Sequence, residues 1–374
     1  MVCYHTLKGF VLGSRENGKK DIKVCFYDVQ YIFRHIDSET WYKSCDTFSA
    51  SNYNMRYIYI TDFIEIPCGQ CVVCRLSYSR DWANRCMLES LYHDDCYFVT
   101  LTYADEFLPE SSYFDKETGE KLTSYTLQKR DLQLFMKRLR KNYNFDNKIR
   151  FFACGEYGGK TQRPHYHLIL FGLHLDDLKK YKTSSIGDVY YNSEFLDKCW
   201  QNKGYVVVGQ CTWDSCAYVA RYVMKKAKGK TASVYEEFGM SPEFVLMSRR
   251  PGLAYQYFLE HNGEIYEDDK IYLSTKKGGK TVKPPRYFDR LEEEFFPDIL
   301  ESVKNNRIEC AMSIKDYKML HSDLSYQDLL QIEENAKSNR LEKLERQLKK
   351  SSLKEQLGLE LSISCLEKLK RNLI

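Results

Sequence analysis

The segment RPHYHLILFG places imidazoles at positions 165 and 167. Residues two apart in a β-strand project from one face, so His165 and His167 point the same way, with Ile169 and Phe171 continuing that side. Two imidazoles so placed can share one cation. The preceding segment KIRFFACGE ends at Glu156, and the linker YGGKTQ, with its paired glycines, suits a tight hairpin. Such a hairpin brings Glu156 beside His165 as a third ligand and leaves positions open for a substrate oxygen. Without that carboxylate the histidine pair would more simply be structural.

A nucleophile is offered by WDSCAYVARYVMKKAKGK, in which Tyr218, Arg221, Tyr222 and Lys225 are separated by steps of three and four and share one helical face. Asp214 or Ser215 is positioned to cap this helix. A phenol has a reference pKa of about 10 and attacks poorly while protonated, so a nearby cation is needed to favour phenolate. The same cations neutralise phosphate, and Arg221, Lys225, Lys226, Lys228 and Lys230 concentrate positive charge beside the phenols. The bland alternative is that a chain with 30 tyrosines must place some on helices without chemical purpose.

Cys68, Cys71 and Cys74 form CxxCxxC, able to set three thiolates on Zn²⁺, with Cys86, His93 or Cys96 as fourth ligand. A ferredoxin-like cluster would want a further cysteine just downstream, where Ser77 and Tyr78 stand. Plain thiols in a reducing compartment are the competing reading, and under either the role is architectural.

These groups need a scaffold. Residues 1 to 66 alternate aromatic and polar side chains, as in KVCFYDVQYIFRH, which predicts short antiparallel strands. A helix follows from about Arg75 to Leu91, and CYFVTLTYAD reads as a buried strand. In LQKRDLQLFMKRLRKNY the apolar residues Leu132, Phe135, Met136 and Leu139 keep the 3.6 period of an amphipathic helix with a cationic outer face. GYVVVGQC is a further strand leading into the tyrosine helix. KIYLSTKKGGKTVKPPR carries six positive charges and no acid, a candidate nucleic-acid contact, and Leu341, Leu344 and Leu348 mark a C-terminal docking helix.

Composition bounds the rest. With 374 residues, 43% hydrophobic and 29% charged, wholesale disorder is excluded and roughly two to three domain-sized units are expected. A net charge of +4 is too mild to prove a polyanionic partner, so local clusters carry that argument. No apolar run approaches the roughly 20 residues that span a bilayer, and MVCYHTLKGF lacks a signal-peptide core, which predicts a soluble chain with free thiols despite 14 cysteines. GKT recurs at Gly159, Gly229 and Gly279, but Cys154, Met224 and Ser274 stand where a phosphate-binding loop needs its first glycine. The chain is therefore expected to borrow a helicase motor.

FVTLTY, the two-histidine strand PHYHLILFG, and YVARYVMKK together resemble the three motifs of HUH endonucleases, specifically the rolling-circle replication initiators of single-stranded DNA phages of the microvirus type. PCGQCVVCR and FFACGEYGGKTQRPHYHLILFG are similar to signatures of the gokushovirus-like branch. The resemblance covers roughly residues 66 to 230, with Tyr166 at a position where the superfamily usually has a bulky hydrophobic residue. It implies that His165 and His167 bind a divalent cation, Mg²⁺ or Mn²⁺, with Glu156 as a third ligand. It also implies that Tyr222 or Tyr218 attacks a DNA phosphodiester, giving a 5′-phosphotyrosyl link and a free 3′-hydroxyl, with Lys225 as activator and Arg221, Lys226 and Lys228 on DNA. Implied partners are single-stranded or supercoiled origin DNA, a host helicase and the replication machinery, in the host bacterial cytoplasm and away from membranes.

The expected architecture is α+β: an HUH core with a central antiparallel sheet flanked by helices, an N-terminal Cys-rich segment and a C-terminal helical extension. Its expected divisions are 1–95 strand-rich and Cys-rich, 96–230 nicking and joining, 231–320 basic accessory, and 321–374 helical tail. Competing functions are a plasmid relaxase or HUH transposase, and a non-catalytic zinc-containing nucleic-acid-binding protein.

Overall fold

The computed structural model describes residues 3–16, 20–45, 56–158, 161–183, 187–221, 232–275 and 278–356. The chain divides into two compact units, residues 1–75 with 318–338, and residues 76–317 with 339–374.

In the first unit the aromatic–polar alternation becomes six short strands: β1 (Leu7–Ser14), β2 (Lys20–Cys25), β3 (Ile32–His35), β4 (Tyr42–Lys43), β5 (Tyr57–Ile60) and β6 (Phe63–Ile66). They form two three-stranded sheets, ordered β2-β1-β6 and β4-β3-β5. Phe10, Cys25, Val29 and Ile32 make their small core. Lys8 is buried beside it, yet its ammonium donates to the Val29 carbonyl at 2.8 Å and lies over the rings of Tyr27 and Phe63. A carbonyl and two ring faces replace the water it loses. Helix α1 (Val72–Ser90) starts three residues earlier than its sequence predicts.

The second unit continues with β7 (Cys96–Thr102), the hairpin β8 (Glu110–Phe114) and β9 (Lys121–Tyr125), α2 (Lys129–Asn142), β10 (Arg150–Tyr157), β11 (Pro164–Phe171), β12 (Lys179–Thr183), β13 (Val189–Asn192), α3 (Glu194–Cys199), β14 (Val206–Gln210), α4 (Trp213–Arg221), α5 (Ser233–Glu237) and β15 (Phe244–Met247). Beyond these come α6 (Tyr255–Asp268), the hairpin β16 (Ile271–Thr275) and β17 (Gly278–Val282), α7 (Arg286–Phe295), α8 (Pro297–Leu320) and α9 (Tyr326–Gln356).

Its centre is a seven-stranded sheet ordered β12-β13-β14-β7-β11-β10-β15, antiparallel at every pairing. The central strand β11 shows why its sequence is nearly continuous in apolar residues. Tyr166, Leu168 and Leu170 face Leu132, Phe135, Met136 and Leu139 of α2. Ile169 and Phe171, on the other face, pack with Phe152 and Cys154 of β10, Trp82 and Cys86 of α1, and Cys216, Ala217, Val219 and Ala220 of α4. A strand covered by helices on both sides has no polar face to alternate with. The protein is thus mixed α and β, with an antiparallel sheet between helices, as the α+β reading expects.

The cationic face of α2 is partly spent inside the fold. Arg138 donates to the Cys199 carbonyl and Arg140 to that of Ile149. Just beyond the helix, Arg150 pairs with buried Glu89 and donates to the Pro251 and Gly252 carbonyls. Three of the basic residues between 129 and 150 are therefore structural.

Candidate active site

Strand register builds the site. In the β10–β11 hairpin Glu156 lies opposite His165 and Cys154 opposite His167; on the other side Thr100 of β7 lies opposite His167 and Thr102 opposite His165. Cross-strand partners share a face, so these side chains project toward the face covered by α4. The carboxylate does not stop at its direct partner. It reaches diagonally, Glu156 Oε1 lying 3.0 Å from Nε2 of His167. The other ring nitrogen, Nδ1, is 3.0 Å from Thr100 Oγ1. Glu156 and His167 are only 4% and 6% exposed, so this polar chain is shielded from water. Phe98 stacks on the His167 ring at 5.8 Å between centroids and 10° between planes, fixing its tilt.

Helix α4 brings the phenol. Thr212 caps it: the Ser215 N–H donates to Thr212 Oγ1 at 3.1 Å while the Thr212 N–H donates to Ser215 Oγ at 2.7 Å. This is a reciprocal capping box with serine at its third position, so the cap is Thr212 and not Asp214. The small side chains of Cys216, Ala217 and Ala220 let the helix lie close on the sheet. Tyr218 stands at the rim of that contact, 39% exposed, edge-on to His167 at 5.5 Å and to Phe98 at 5.9 Å between centroids. The guanidinium of Arg221 lies 5.6 Å over the Tyr218 ring. Lys280, from the basic hairpin β16–β17, sits 3.5 Å over the ring of Trp213 in the first turn of α4. Tyr222, Lys225, Lys226 and Lys228 lie outside the described residues.

His165 is half-buried and leans toward the hairpin turn, where a Cβ added to Gly158 would sit 3.0 Å from its Nε2. Among the described residues, donor atoms of Glu156, His165 and His167 do not form a set within 4.8 Å of one another. The close pair is Glu156 and His167. Cis donors about 2.1 Å from an octahedral cation stand about 3.0 Å apart, so the pair's separation suits a divalent ion, and its mixed nitrogen and oxygen donors suit Mn²⁺ better than Mg²⁺.

Tyr166 shows how a phenol is accommodated between the two histidines. Its ring is fully buried; its hydroxyl lies 2.9 Å from that of Tyr103, accepts from the Gln128 N–H at 3.0 Å and donates to the Gln128 carbonyl at 3.1 Å. Burial pushes its pKa up to about 12, so it stays a neutral donor. The histidine strand is thereby anchored to the N-cap of α2.

Of the zinc candidates, Cys68, Cys71 and Cys74 come together, but the fourth sulfur beside them is Cys3. Cys86 is a correction: it stands twelve residues beyond Cys74 in α1, about 18 Å along the axis, and is fully buried among Trp82, Phe152 and Ile169. His93 is engaged with Glu89, and Cys96 with the Ser90 and His93 carbonyls. Thr100, Phe98, Gly158 and Cys3 were not singled out by sequence reasoning. For Thr100 and Phe98 the signal was their place in FVTLTY, two strand positions apart.

Taken together, an antiparallel sheet offering a buried His–Glu pair to a phenol on a packed helix defines a class of site suited to phosphate-ester chemistry. Comparison with known proteins narrows this. The replication-associated protein ORF2 family matches residues 96–227. The chain is 34% identical to the replication-associated protein ORF2 of Spiroplasma virus 4 over 307 residues, spanning 80% of this chain and 90% of that protein. It is 39% identical over 166 residues to the replication-associated protein VP4 of Bdellovibrio phage phiMH2K, covering 43% of this chain and 48% of that one. To the replication-associated protein ORF4 of Chlamydia phage 1 it is 26% identical over 330 residues, or 83% and 74% of the two chains. No solved structure matches it significantly. The chain belongs to this family of phage replication-associated proteins, the microvirus type to which its motifs pointed. No helix among the described residues is long and apolar enough to cross a membrane.

Proposed function

We propose that this chain initiates rolling-circle replication by nicking one strand at the viral origin through a tyrosine of the 218 to 222 segment, holding the 5′ end as a phosphotyrosine and later rejoining the ends. The observation that carries the reading is the Tyr218 ring standing edge-on to His167 at 5.5 Å, on the face where Glu156 and Thr100 hold that imidazole.

His165, His167 and Glu156 would hold a divalent cation, Mg²⁺ or Mn²⁺, which supplies charge to a nonbridging phosphate oxygen. The chain's own residues account for the remainder. Thr100 fixes which nitrogen of His167 faces the site, since a hydroxyl can accept from Nδ1–H and so leave the Nε2 lone pair free. Arg221, close to the Tyr218 ring, favours its phenolate and a bound phosphate alike. The phenolate oxygen bonds to phosphorus as the 3′-oxygen leaves, so one phosphodiester is exchanged for another and resealing needs no nucleotide. Lys225, Lys226, Lys228 and the basic hairpin carrying Lys280 would track the DNA backbone. A host helicase would open the duplex.

The test is an incubation of purified protein with Mn²⁺ and origin-containing single-stranded DNA, followed by peptide mass spectrometry. A nucleotide adduct on the Tyr218–Tyr222 peptide is expected. Replacing both tyrosines by phenylalanine should abolish covalent capture while DNA binding persists. If the double variant still captures DNA, or the wild type forms no adduct while binding the origin tightly, a non-catalytic binding role replaces this one.

A further inference from the structure

We propose that Cys3, Cys68, Cys71 and Cys74 hold one tetrahedral Zn²⁺ ion, which ties the segment before β1 to the first turn of α1. The inference lies in the first unit and does not depend on the nicking reading.

The four sulfurs lie within 4.8 Å of one another, and those of Cys3 and Cys71 are 3.9 Å apart. Thiolates about 2.3 Å from a zinc ion stand about 3.8 Å apart along the edges of their tetrahedron. A four-iron cluster gives each thiolate its own iron at a separate corner and spreads the sulfurs more widely. Every described cysteine is a free thiol, so no disulfide competes for this arrangement.

The backbone is arranged for negative sulfur. The Cys68 N–H donates to Cys3 Sγ at 3.2 Å, and the N–H groups of Gln70 and Cys71 donate to Cys68 Sγ at 3.4 and 3.3 Å. Three amides aimed at two sulfurs suit thiolates better than thiols. The turn that aims them needs Gly69, whose φ of 69° lies in the left-handed region. Cys71 immediately precedes α1 and Cys74 sits in its first turn, where unsatisfied amides favour negative charge. Tyr4, Val72 and Val73 pack around the cluster and limit access by water.

Four soft donors select zinc over Mg²⁺ or Mn²⁺, so this site and the Glu156–His167 pair would take different ions. The tie spans 65 residues between Cys3 and Cys68, enclosing all six strands of the unit. A core of four buried residues is small for that many strands, and a metal cross-link supplies what it lacks.

Full-length protein, purified under reducing conditions, is examined by elemental mass spectrometry. One zinc per chain is expected in the wild type, in Cys86→Ala, and in the His165→Ala/His167→Ala double variant, with zinc lost from Cys3→Ser and Cys71→Ser. Because a chain that loses its metal can also lose its fold, wild-type protein is also titrated with a thiol reagent beside a chromogenic zinc indicator. Zinc should appear only as four thiols react. Substituting Co²⁺ should give the intense sulfur-to-cobalt band of a tetrahedral thiolate site. A wild type without zinc, iron in its place, zinc retained by Cys3→Ser, or zinc lost from Cys86→Ala would overturn the proposal.

Discussion

Replacing Thr100 by valine asks whether the imidazole at the centre of the site is oriented from behind. Valine has nearly the shape of threonine and the same branching, so β7 and its packing should survive. What disappears is the partner 3.0 Å from Nδ1 of His167, a ring that is 6% exposed and cannot turn to water instead. A buried polar atom left unsatisfied costs about 1–3 kcal/mol. In the metal-free chain this should appear as a loss of that size in urea unfolding. In cation binding the cost falls on the one ring orientation and tautomer that present the Nε2 lone pair beside Glu156. At about 1.4 kcal/mol per factor of ten, Mn²⁺ affinity should fall about 10–100-fold, the range found for groups that orient metal-bound histidines. The assay is titration of free Mn²⁺ by electron paramagnetic resonance, with Thr100→Ser expected to restore binding because it keeps the hydroxyl. Wild-type Mn²⁺ affinity in Thr100→Val, in a folded protein, would refute the reasoning.

Three further perturbations probe other parts of the argument. Gly158→Ala sets a methyl group 3.0 Å from His165 Nε2 with no left-handed backbone to strain, so Mn²⁺ binding and DNA cleavage should drop severalfold while the melting temperature stays near the wild type's. Tyr166→Phe leaves the Gln128 N–H without its acceptor inside the core and should cost about 1–3 kcal/mol in chemical denaturation; an unchanged midpoint would show that the anchor between β11 and α2 contributes nothing. Burial pushes the Asp81 carboxyl up to about 6, against an unfolded value of about 3.9, so between those pH values the folded chain holds a proton the unfolded chain has released. Stability from this group therefore falls as pH rises through that window. Asp81→Asn should be the more stable protein at neutral pH, and its advantage should close as pH falls toward 4; a constant difference across the range would contradict this.

Much of the fold was legible where it was local. The β10–β11 hairpin announced itself through paired glycines between apolar runs, and the buried face of α2 was its predicted set of Leu132, Phe135, Met136 and Leu139. Long-range partners were not. Cys3 joins a cluster 65 residues away with no periodic signal to mark it, whereas Cys86 looked plausible because distance along a helix is easily underrated against closeness in sequence. Thr100 was hidden for a different reason: a threonine in a strand satisfies β-propensity and draws no notice until the opposite residue proves to be a histidine. Register alone put Glu156 opposite His165, but its hydrogen bond to His167 depends on the diagonal reach of a side chain, which spacing does not reveal.

The gradient of exposure across the site constrains how a DNA strand can approach under the proposed chemistry. Glu156 and His167 are shut in by the sheet and by Phe98, while His165 is half-buried at the hairpin end and Tyr218 is open at the rim of α4. A phosphate large enough to carry two nucleosides cannot pass between α4 and the sheet, where Cys216, Val219 and Ala220 are fully buried. It must arrive from the rim, meeting Arg221 and Tyr218 before any group held by the buried pair. The embedded residues are thus suited to keep a fixed geometry while the strand comes and goes, and the reactive phenol belongs on the exposed side because it must follow the DNA. This division also explains the small residues beneath α4: they bring the helix close enough for an exposed phenol to touch a buried imidazole.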